Sequence, residues 1–170
     1  MSITNFPNGL SSFGNILGGG AEHVNPNSLT FYVSPSNGVV PGSDSNDGSA
    51  EAPFATIQKG IDACRNNYGD RVVCLRGSHV VTAAINFNKT GIIVTTQDYG
   101  IAPQGKGEFF DVLAAASFTD GPVAIITKRC RIEGLAFVSR DTGALFFSGA
   151  AILIGGAAAG GFGVHIRGCR

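Results

Sequence analysis

The sequence predicts an all-β fold, a solenoid of short stacked strands of the parallel β-helix kind. Three observations carry this. Ile and Val number 27 against 8 Leu in 170 residues, and β-branched side chains are stiff at χ1 and pack well on a pleated surface. Glycine supplies 25 residues, about twice its usual share of roughly 7%, which suits a chain of tight turns. A tripeptide of aliphatic, charged residue and glycine recurs as Leu75-Arg-Gly77, Ile132-Glu-Gly134 and Ile166-Arg-Gly168. The last two are 34 residues apart, and the first two are 57 apart, room for two coils. Short strands with a period of about 20–50 residues suggest a solenoid. A β-sandwich is the competing architecture.

Residues 1–28 come first, an extended arm. Pro7-Asn8-Gly9 is a turn signal and Gly18-Gly19-Gly20 a break. Phe6, Leu10, Phe13, Ile16 and Leu17 are spread thinly among Asn, Ser and Gly. Such a segment buries too little surface to fold alone, yet it is too apolar for a solvated linker. These five residues are therefore expected to dock on another polypeptide.

Residues 29–79 form the second zone. Leu29 to Val33 reads as a strand by alternation. A polar loop follows, with Gly42-Ser-Asp-Ser-Asn-Asp-Gly48. Thr56 is placed to cap a short helix whose Ile57, Ile61 and Cys64 share one face. Arg71 to Leu75 is the next strand. Residues 80–170 then run strand after strand, with no helical period.

The composition bounds the function. Lys+Arg and Asp+Glu are both 12 and charged residues are 14% of the chain, against a usual figure of roughly 25%. A protein that holds nucleic acid by neutralising phosphates needs a basic excess, so nucleic acid is not an expected partner. Cys64, Cys74, Cys130 and Cys169 lack CxxC spacing and the three His are far apart, which points to buried thiols rather than a zinc site. Thr142 to Val164 is 23 residues without a charge, long enough to span a bilayer. Seven of them are glycine, and each weakens a helix by about 1 kcal/mol. Two short strands joined by a glycine loop fit better, and no membrane is expected.

Catalysis by this chain would fall to its carboxylates. Glycoside hydrolysis needs two of them about 5–9.5 Å apart across a groove. Asp98, Asp111, Asp120, Glu133 and Asp141 are the candidates, and only Glu133 falls squarely within a predicted strand. The matching tripeptide positions are Arg76 and Arg167, which suggests an exposed Arg-Glu-Arg ladder. Asp44, Asn46 and Asp47 lack EF-hand spacing, and Asx-turns explain them more simply. No catalytic, cofactor-binding or metal-binding residue is assigned, and no cofactor is expected.

Phe31-Tyr-Val-Ser, the Gly42–Gly48 loop, Ala52-Pro-Phe-Ala-Thr-Ile57-Gln-Lys-Gly-Ile61 and Gly69-Asp-Arg-Val-Val-Cys-Leu-Arg-Gly77 together resemble the entry into right-handed parallel β-helix domains. In that family a strand, a polar loop and a short capping helix cover the open end of the solenoid. The opening Thr4-Asn-Phe-Pro-Asn-Gly-Leu-Ser-Ser-Phe-Gly14 resembles leaders of tailed-bacteriophage virion proteins. The two resemblances imply a non-enzymatic structural component at the particle surface, a capsid decoration or head-fibre subunit. Its partners would be the major capsid protein or other virion subunits, and its state a homotrimer. The alternative is the N-terminal part of a tail spike that binds or degrades a host surface glycan. Ile166-Arg-Gly-Cys-Arg170 reads as mid-coil, so a longer chain or a partner subunit is expected to cover that end.

Overall fold

The computed structural model describes residues 10–12, 15–17, 27–97, 110–114, 123–138, 152–154, 164–167 and 169. The chain opens with two strands, β1 (Leu10–Ser12) and β2 (Asn15–Leu17), paired antiparallel. Next come β3 (Thr30–Val33), the helix α1 (Ile57–Ala63) and β4 (Arg71–Cys74). Then follow β5 (His79–Val81), β6 (Ile85–Phe87), β7 (Ile92–Thr96), β8 (Phe110–Ala114) and β9 (Ala124–Ile126). The last are β10 (Cys130–Glu133), β11 (Leu135–Val138), β12 (Ile152–Ile154) and β13 (His165–Arg167).

Three separate sheets are parallel: β13-β10-β7-β4-β3, β11-β8-β5 and β12-β9-β6. Their inward positions form apolar rows. Phe31, Val72, Val94, Ile132 and Ile166 lie in one register line, and Phe87, Ile126 and Ile154 in another. Period-2 alternation explains the rows: Val72, Cys74, Ile92, Val94, Cys130 and Ile132 are buried, while Arg71, Val73, Ile93 and Arg131 are only half-buried.

The helix closes one end of this core. Thr56 is its N-cap in extended geometry, and its Oγ1 accepts from Lys59 N at 3.2 Å. Ile57 and Ile61 are buried against the rows. A Cβ on Gly60 would lie 2.9 Å from Val33 Cγ2 and 2.9 Å from Val72 Cγ1, so glycine lets the helix backbone press onto β3 and β4. The polar loop seals the outer edge of β3: Tyr32 N donates to Gly48 O, Phe54 N to Tyr32 O and Ser34 N to Phe54 O. Gly48 has φ +81° and the Phe54 ring stands where its Cβ would be.

The expectation of an all-β, right-handed parallel β-helix with an extended arm is corrected here. Among the described residues the strands are three to five residues long and fall into four separate sheets, one of them antiparallel, with a helix packed on the largest. In that sheet Arg71 pairs with Ile93, Ile92 with Cys130 and Arg131 with His165, so successive levels lie 22, 38 and 34 residues apart. A solenoid needs a near-constant repeat, and this chain lacks one. The arm is not simply extended, since β1 and β2 fold back on each other with two residues between them.

The tripeptide echo was half informative. Ile132 and Glu133 do pair with Ile166 and Arg167. Leu75 is out of line by three residues, because Val72 occupies the row of Ile132 through Val94. Of the strands expected near the glycine loop, β12 is present, and Ala144 to Phe147 lies outside the described residues. Among the described residues no helix is long and apolar enough to cross a membrane.

Candidate functional site

The five residues expected to dock are Phe6, Leu10, Phe13, Ile16 and Leu17. Leu10 stands directly opposite Leu17, and Ser11 opposite Ile16. Phe6 and Phe13 lie outside the described residues.

The leader joins the body at a charged cluster. Arg65 follows α1, and Asp70 directly precedes β4. The Asp70 side chain is 0% exposed. Its Oδ1 accepts from Leu29 N at 2.8 Å and Arg65 Nη2 at 2.8 Å, and its Oδ2 accepts from Arg65 N at 2.8 Å and Arg65 Nε at 3.0 Å. Burial alone would raise this carboxyl. The Arg65 guanidinium and the N–H groups of Leu29 and Arg65 outweigh it and hold the group below the usual carboxylate range. Arg65 Nη2 also donates to Asn27 O at 2.6 Å, and the guanidinium sits 4.2 Å from the Tyr68 ring centroid. Arg71 N donates to Leu29 O at 2.8 Å. The sequence predicts the start of a strand at this segment and does not predict the cluster. The carboxylate sits between a helix end and a strand start, a place where backbone donors need partners, and that was the signal available.

Other candidates prove structural. Asp44 Oδ1 accepts from Ala55 N and Thr56 N, both at 2.9 Å, and Oδ2 accepts from Thr56 Oγ1 at 2.8 Å. Its oxygens thus organise the entry to α1. Asp47 Oδ1 accepts from Ser49 N at 2.9 Å, an Asx-turn, and Asn46 Nδ2 donates to Pro53 O. Glu133 is not part of an exposed ladder: it is 4% exposed and bonded to Arg131 Nε at 2.6 Å. Its register line is Val73, Thr95, Glu133 and Arg167, with Arg76 elsewhere. Asp111 lies on β8, in line with Ala136. Asp98, Asp120 and Asp141 lie outside the described residues.

Cys64, Cys74 and Cys130 are buried. Burial pushes each thiol up to about 12, with Asp70 adding to the rise at Cys64. Such thiols are poor nucleophiles at neutral pH. Cys169 is half-buried, with Sγ 3.8 Å from Ile132 O. His79 is buried on the inward side of β5, and its Nε2 contacts Leu75 O at 3.0 Å. Nδ1 is buried without a hydrogen-bond partner, and burial lowers the imidazole pKa. Among the described residues no three His, Cys, Asp or Glu side chains converge as metal ligands would.

No protein-family model, no curated protein and no solved structure matches the chain.

Proposed function

We propose that this chain is a non-enzymatic structural subunit of a tailed-phage particle, held by residues 1–28 to the major capsid protein or another virion subunit and carrying its stacked parallel sheets outward. The observation that carries the reading is the leader hairpin. Its strands are three residues each and, among the described residues, pair only with one another. A two-stranded hairpin is marginal in water by itself, and this one carries Leu10, Ile16 and Leu17. A surface that covers those side chains supplies about 25 cal/mol per Å² of apolar area. In a homotrimer three leaders would act together and gain avidity. The resemblance of Thr4 to Gly14 to virion leaders supports the same reading, as does the structural use of Asp44, Asp70 and Glu133.

Deleting residues 2–17 tests it. Incorporation into particles, followed by immunoblot of purified virions, is expected to fall to background while the body stays folded. Undiminished incorporation overturns the reading.

A further inference from the structure

The leader meets the body at the Arg65–Asp70 cluster, and the contacts there are one-sided. Three successive attachments fall on residues 27–29: Asn27 O on Arg65, Leu29 N on Asp70 and Leu29 O on Arg71 N. On the body side, Asp70 continues directly into β4, and its own carbonyl accepts from Ile93 N of β7 at 3.0 Å. β3 begins immediately after Leu29 and has a single strand partner, β4. Its other edge is bonded to the loop residues Gly48 and Phe54, and an outermost strand covered by a loop rather than a further strand is the element most easily peeled by tension on the segment before it.

We propose that the Arg65–Asp70 pair is a clamp that makes residues 27–29 part of the rigid body, so that pull on the leader passes into β4 and β7 rather than stripping β3. The clamp is well suited to this. One carboxylate takes four hydrogen bonds at 2.8–3.0 Å, which occupies its acceptor capacity. Charge-assisted bonds of this kind are stronger than neutral ones. Cys64 and Tyr68, from the same segment, are the other titratable groups that act on Arg65, and Asp70 and Lys89 act on Cys64. The clamp gives the anchoring role its mechanical link and rests on that role for its purpose.

Limited chymotrypsin digestion of the purified full chain tests the clamp without any particle, so its failure is read separately from that of particle incorporation. Phe31 and Tyr32 are half-buried chymotrypsin sites within β3, where cleavage requires the strand to open. Asp70→Asn and Arg65→Gln are each expected to speed cleavage there by about tenfold or more, since cleavage follows the open population. The body from β4 onward should stay intact, with its other amides protected in hydrogen exchange. Arg65→Gln keeps the two backbone donors on Asp70 and covers the case in which Asp70→Asn does not fold. Wild-type cleavage rates in both variants overturn the clamp. So does cleavage that rises only with global unfolding, or failure of both variants to fold, because the pair would then hold the whole fold rather than the junction.

Discussion

His79 shows how one residue couples the interior to pH. A neutral ring that donates Nε2–H to Leu75 O leaves Nδ1 as a buried acceptor without a partner. Burial holds the folded pKa below its ordinary value of 6.5. Well above its ordinary value of 6.5 the imidazole is neutral in both folded and unfolded chains and costs nothing. As pH falls below that, the unfolded chain takes up a proton that the folded chain resists, so stability is lost progressively down to the folded pKa. Asp70 acts in a different window. Its pKa is lowered, so its contribution is complete above the ordinary carboxylate value of about 3.9 and fades only as pH falls through the folded value. We expect the melting temperature to drop between pH 7 and pH 5 in the wild type and to stay nearly flat in His79→Phe. An equal drop in both, measured by thermal unfolding at fixed ionic strength, would remove His79 as the cause.

At the scale of elements, the contact between α1 and the sheet is decided by Gly60. Gly60→Val adds a Cβ 2.9 Å from Val33 Cγ2 and 2.9 Å from Val72 Cγ1, with two methyl groups beyond it. Overpacking of this kind costs about 1–3 kcal/mol, and urea unfolding should show it as a lower midpoint. Gln58 adds a second tie: its Oε1 accepts from Asn86 N at 2.8 Å and its Nε2 lies 3.5 Å from Asn86 O, so a helix side chain occupies the open edge of β6. The cap Thr56 and the buried face Ile57 and Ile61 were legible in the sequence because they depend on spacing within seven residues. The row Ile132–Ile166 was legible for a similar reason, a repeated local pattern. The row partner of Ile132 on β4 was not, because loops of different length separate the levels and no local pattern records that length. Glu133 misled in the same way. Alternation put it on the outer side of β10, and nothing nearby in sequence tells that this side is covered. The Asp70 cluster joins residues 27, 29, 65 and 70, a set that only the folded chain assembles.

The whole molecule is stabilised unevenly along its stack, and this can be measured. β4 and β7 each have a strand partner on both sides, and β4 also lies under α1. β12 and β13 have one partner each among the described residues. The inward rows follow the same gradient: Val72, Val94 and Ile132 are fully buried, whereas Ile166 and Ile154 at the other end are 37% and 52% exposed. The same substitution should therefore cost different amounts in one row. Ile132→Ala leaves a cavity between Val94 and Ile166 and is expected to cost about 2–5 kcal/mol. Ile166→Ala removes a side chain that water already reaches and should cost under about 1 kcal/mol, in keeping with partial burial. Equilibrium denaturation of the two variants gives both numbers directly. If Ile166→Ala proves as costly as Ile132→Ala, that end of the row is covered in solution, and sedimentation of the wild type then tells whether a second copy of the chain covers it.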